Sequence, residues 1–110
     1  MKKQSVWMSY DLGVDGPYEE LYYWIDLHNG RECGDSMAFL IYKYNDNIRV
    51  ELRKELGEAV KLRPKDRIYI IFRDDRDKKI RGNFIFGIRK PAPWAGYAGK
   101  PGEEIKDEKE

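Results

Sequence analysis

An apolar run that ends on an aspartate and opens into a glycine-marked loop is what most constrains the fold of this chain. Residues 6–16 hold it: Val6, Met8 and Tyr10 alternate with Trp7, Ser9 and Asp11, and Gly13 and Gly16 follow. Period-two alternation predicts a strand over 5–11, with Val6, Met8 and Tyr10 on one face and Trp7, Ser9 and Asp11 on the other. Pro17 stands where a helix begins, because its missing N–H is tolerated in the first turn. Glu19 and Glu20 put negative charge at the positive end of that helix. Tyr18, Leu21, Ile25 and His28 recur at helical spacing with Trp24 beside them, and Asn29 with Gly30 ends the run. A strand feeding an amphipathic helix this closely commits the chain to packing a helix layer on a sheet.

The remaining segments repeat the pattern. Residues 36–44 predict a second strand, apolar on both faces near its middle and so expected in the centre of the sheet. Residues 31–35 either extend it or form a short preceding turn. Asn45, Asp46 and Asn47 form a turn with capping side chains. A second helix is expected over about 47–61, with Ile48, Leu52, Leu56, Ala59 and Val60 as its buried stripe. Glu51, Glu55, Arg49 and Arg53 are expected on its solvated flanks. Gly57 costs that helix roughly 1 kcal/mol relative to alanine, which predicts fraying beyond it. Residues 67–73 are β-branched and aromatic and predict a third strand. A charged hairpin loop over 74–79 leads to a fourth strand over 80–88, read in one register with Ile80, Gly82, Phe84, Phe86 and Ile88 on one side. Residues 90–99 lack periodicity and read as an extended arm that carries Trp94 and Tyr97. Residues 101–110 are Gly-, Pro- and charge-rich, and disorder is expected there. This order gives an α+β sandwich: two helices on one face of a mostly antiparallel sheet, in one domain over 1–100. A ferredoxin-like split βαβ arrangement fits it best, with a C-terminal β-hairpin and the arm added.

Composition narrows the classes further. The chain has 110 residues, the size of one domain, and 41 % of them are hydrophobic, enough for one core. No run approaches the roughly 20 apolar residues that cross a bilayer, so no membrane partner is expected. The amino-terminal stretch is broken by Ser9 and Asp11, too early for a signal-peptide core, and a cytoplasmic location is the expectation. Cys33 is the only cysteine, which excludes an internal disulfide and a cysteine-built metal cluster. Net charge is +1, but it is distributed in blocks. Residues 10–35 hold seven acids against Arg31, and residues 73–90 hold seven bases against three aspartates. Such blocks are either ordinary solvated surface or a bipolar one, with an acidic face for a cation and a basic hairpin for phosphate or an acidic partner.

Several residues carry a family resemblance: Ser9, Tyr10, Asp11 and Leu12; Tyr18 and Leu21 on the first helix; Gly30; Ser36 opening a strand; Leu52 and Leu56 on the second helix; and the run Asp66, Arg67, Ile68, Tyr69, Ile70. Their order over about 6–72 resembles the small CRISPR-associated endoribonuclease family, whose fold the virulence-associated protein D toxins share. The resemblance implies a ferredoxin-like homodimer acting on RNA or DNA. It also implies that an aspartate ending the first strand, matched here by Asp11, pairs across the dimer and holds magnesium for phosphodiester cleavage.

Four places are candidates for chemistry. Asp11 is the catalytic and metal candidate, since magnesium is commonly held by one or two carboxylates and metal-bound water attacks phosphate; the alternative is a loop-opening aspartate that accepts backbone N–H bonds. The basic residues Arg73, Arg76, Lys78, Lys79 and Arg81, with Tyr69, Phe72 and Phe84 nearby, are the nucleic-acid candidates, cations for phosphates and rings for bases; the alternative puts those rings in the core. Trp94 and Tyr97 are partner anchors, or else they cap the chain's own core or a second subunit's. His28 sits on the apolar stripe without a sequence-adjacent carboxylate and reads as a structural helix-end residue. Cys33 lies beside acids, the wrong setting for a thiolate nucleophile. A non-catalytic homodimeric interaction module, an inhibitor or adaptor, is the alternative to a metal-dependent nuclease.

Overall fold

The computed structural model describes residues 1–98. Seven elements follow one another: β1 (Lys2–Asp11), α1 (Tyr18–Leu27), β2 (Arg31–Glu32), β3 (Met37–Tyr44), α2 (Ile48–Ala59), β4 (Arg67–Arg73) and β5 (Ile80–Phe86). The strands form a single five-stranded sheet in the order β2-β3-β1-β4-β5, and every pairing is antiparallel. The fold is α+β, as the sequence predicts. No helix among the described residues is long and apolar enough to cross a membrane. The expected disorder over 101–110 lies outside the described residues.

The alternation in β1 sets the layering. Val6 and Met8 are buried with Leu40, Tyr42, Ile68, Ile70 and Phe72 from the neighbouring strands, and Leu21, Trp24, Ile48, Leu52 and Leu56 of the two helices complete the same core. Both helices therefore cover one sheet face. The other face carries the odd-numbered residues of β1, β3 and β4, and no element of the described chain covers it.

Helix α1 closes in the way Asn29 and Gly30 predict. Asn29 takes the left-handed conformation (φ 57°), and Gly30 N–H donates to Ile25 O at 2.9 Å. At α2, Asn47 accepts from Val50 N–H at 3.1 Å as N-cap. Glu51, expected on a solvated flank, accepts instead from the N–H groups of Asn45, Asp46 and Asn47 at 2.8–2.9 Å, and so closes the turn before the helix. The helix ends at Ala59, two residues beyond Gly57.

Two strand expectations are corrected. The central strand is β1; β3 lies between it and the two-residue β2. The second apolar face of β3 (Met37, Phe39 and Ile41) is not buried in a sheet centre but lies on the uncovered side. The single register expected over 80–88 is also broken. A bulge pairs Ile68 with Phe86 but Tyr69 with Phe84, so Ile85 turns into the core and Phe86 changes face. Alternation alone does not reveal such an inserted residue.

Candidate nucleic-acid interface

The register lines up the residues of the uncovered face in rows. One row runs Arg31, Phe39, Trp7, Ile71, Gly82; the next runs Met37, Ser9, Tyr69, Phe84. Trp7 and Phe39 are 5.0 Å apart between ring centroids, and Tyr69 and Phe84 meet edge to face at 4.8 Å. Gly82 is required there: a Cβ on it would lie 2.3 Å from the Tyr69 hydroxyl, so the tyrosine ring lies across a residue without a side chain. Ile41 and Ile80 extend the apolar surface and are more than half exposed. Lys3, Lys43 and Arg73 stand on this face at one end of the strands, and Asp11 and Arg67 form its opposite end.

At that opposite end Asp11 faces Arg67 across the β1–β4 register. Arg67 Nη2 donates to Asp11 Oδ2 at 2.8 Å, Lys90 Nζ stands 3.9 Å from the same oxygen, and Gly13 N–H lies 3.4 Å from Oδ1. The Arg67 hydrogen bond, against a smaller opposing effect of burial, holds the Asp11 carboxyl below the usual aspartate range. Ser9, Asp11, Arg67, Tyr69, Phe84 and Arg89 line an open cleft of about 330 Å³. The guanidinium groups of Arg67 and Arg89 lie 5.8 and 5.6 Å from the Phe84 ring centre. The buried Arg67 Nε–H has no acceptor among the described residues. Asp11 thus opens the loop and also lines the cleft. No three His, Cys, Asp or Glu side chains gather among the described residues. Asp11 itself faces two cations, Arg67 and Lys90.

The basic candidates are placed unequally. Arg76 and Arg81 both pair with Asp74 at 2.9 Å, Arg81 also pairs with Asp77, and Lys78 stands 3.5 Å from Asp75. Asp74 is buried, and the Arg76 hydrogen bonds hold its carboxyl far below the ordinary value. Much of the charge over 74–81 is therefore neutralised within the loop. Arg73, on the uncovered face, uses Nε to contact Lys78 O, and Lys79 makes no ion pair among the described residues. Of the rings near the loop, Tyr69 and Phe84 lie on the uncovered face, while Phe72 is in the core under the helices.

Trp94 and Tyr97 are 74 % and 88 % exposed, held in turns by the Ala95 N–H to Ala92 O and Tyr97 N–H to Trp94 O bonds. The expectation that they cap the chain's own core is corrected: the prolines and glycines around them make local turns and leave the rings in solvent. His28 does have a carboxylate beside it. Glu55 Oε2 lies 2.7 Å from His28 Nε2 and accepts from Trp24 Nε1 at 2.8 Å, while Oε1 accepts from the Tyr42 hydroxyl at 3.0 Å. This cluster ties α1 to β3 and α2 and holds no nucleophile. Sequence reasoning missed Trp7, Phe39, Arg67 and Arg89 as candidate site residues. The signal was present in the alternation of Trp7, Ser9 and Asp11, whose outward ring has no covering element to meet.

Compared with known proteins, the chain matches no family model, no curated protein and no solved structure.

Proposed function

We propose that this chain binds single-stranded nucleic acid across the uncovered face of its sheet. One observation carries the reading: two ring pairs, Trp7 with Phe39 and Tyr69 with Phe84, occupy an uncovered antiparallel sheet whose two strand ends carry Lys3, Lys43 and Arg73 and Arg67 with Arg89. Base stacking on such rings contributes about 1–3 kcal/mol per base, and cations along the path take the phosphates. A strand–helix–strand–strand–helix–strand order with strands arranged β2-β3-β1-β4 supports a ferredoxin-like reading, with β5 added at the β4 side. The resemblance over 6–72 supports a role in defence or toxin systems within the cytoplasm.

The test is binding of a labelled oligonucleotide to the purified chain over a salt series. The logarithm of affinity should fall by about 0.7 per neutralised phosphate for each logarithm of salt, and Trp7→Ser with Phe39→Ser should remove most binding. No binding at low salt would overturn the proposal. Magnesium-dependent shortening of the bound oligonucleotide, lost in Asp11→Ala, would extend it to the nuclease that the resemblance implies.

A second reading, a homodimeric interaction module, is favoured by the aliphatic half of the same face: Met37, Ile41, Ile71 and Ile80. In face-to-face packing of two copies the basic ends of each meet basic ends of the other, whereas a polyanion neutralises both. Sedimentation with and without oligonucleotide separates the readings. A dimer that persists when the oligonucleotide is saturating, and does not bind it, supports the module, with Trp94 and Tyr97 as its partner anchors.

A further inference from the structure

We propose that the cleft around Asp11 selects guanine within the bound strand. The inference rests on the reading of the uncovered face as a nucleic-acid surface and adds a base preference to it. The cleft of about 330 Å³ joins ring surface, a carboxylate and cations in one place. Tyr69 and Phe84 supply the surface on which a base stacks. Asp11, held ionised beside Arg67, is a pure acceptor. Its side chain is about half exposed (49 %), and among the described residues its oxygens accept the Arg67 bond at 2.8 Å and the long Gly13 contact at 3.4 Å, with Lys90 Nζ 3.9 Å from Oδ2, so acceptor capacity remains.

Guanine alone among the common bases carries two neighbouring donors, N1–H and the N2 amino group, on its Watson–Crick edge. A carboxylate accepts both at once. Adenine and cytosine set one amino group beside a ring nitrogen with a lone pair, which repels the second carboxylate oxygen. Thymine and uracil offer a single N–H between two carbonyls. Arg89, whose guanidinium lies over Phe84, and Lys90, 3.9 Å from Asp11, remain at the same end for the adjoining phosphate.

The experiment compares a short oligothymidylate with the same oligomer carrying isolated guanines, by fluorescence anisotropy on the full chain in the presence of EDTA. The guanine-bearing oligomer should bind roughly tenfold more tightly, the discrimination of one good bidentate contact. Asp11→Asn should abolish that ratio, with circular dichroism showing that the variant is folded. Asp11→Glu should restore a preference. Equal binding of the two oligomers by the unaltered chain, a ratio that survives in Asp11→Asn, or one that appears only with magnesium overturns the guanine assignment and leaves the surface reading standing. Failure to bind either oligomer overturns the surface reading itself.

Discussion

Glu55 shows how much one side chain organises away from the candidate interface. It satisfies the indole N–H of Trp24 and the hydroxyl of Tyr42, two residues that are almost fully buried, and it faces His28. Glu55→Ala leaves those donors without partners, and each buried unmet donor costs about 1–3 kcal/mol. The urea midpoint of the variant should fall accordingly, with oligonucleotide binding by the remaining folded chain unchanged. Gly82→Ala tests a different kind of dependence. The added methyl would sit 2.3 Å from the Tyr69 hydroxyl, so the ring must lift from the sheet, and binding should weaken more than stability does. Trp24 and Tyr42 are legible as apolar positions in the sequence. Their shared carboxylate is not, because 31 residues separate Glu55 from Trp24 and only the packing of α1 on α2 brings them together.

The connection from α2 to β4 depends on one buried aspartate. Asp66 accepts from Arg63 N–H at 2.8 Å and from Arg63 Nη2 at 3.0 Å, and Arg63 also reaches Leu12 O, which ties the loop after β1 to this turn. Burial pushes the Asp66 carboxyl up, but the Arg63 hydrogen bonds and charge outweigh it and the net position is below the ordinary value. A carboxyl lower in the folded than in the unfolded chain stabilises the fold fully above the unfolded value of about 3.9, and that stability is lost as pH falls through the folded value. Asp66→Asn should therefore lower stability at neutral pH and flatten its decline on acidification, followed by circular dichroism from pH 6 downward. Asn47→Ala should cost about 1 kcal/mol through loss of the α2 cap, read in a thermal melt. Elements of this kind are written locally, as turn residues and alternation, and the strands and helices of the chain fall close to where those signals put them. The bulge at Ile85 was hidden because it depends on a partner segment, β4, whose position the local pattern does not carry.

For the whole molecule, the decisive property is that five strands have helices on only one side. The order of elements made that layering readable. Which strand would be central was not, because an apolar second face on β3 looks the same whether another layer buries it or it stays open to a ligand. The distinction gives a prediction. Replacing Trp7 and Phe39 by serine removes exposed or half-exposed rings from outside the helix-covered core, so the melting temperature should hold or change little while oligonucleotide binding is lost. Coupled loss of both would instead mark these rings as part of the folding core.

The two margins of the sheet are unequal. On one side the last strand is only Arg31–Glu32; on the other it is the seven-residue β5. β2 covers β3 only at Ala38 and Phe39, so among the described residues 40–44 keep an open edge and both margins of the sheet offer unpaired backbone groups. Lys43 on the first border and Arg81 on the second place charge along these open edges, which discourages one sheet from continuing into the next.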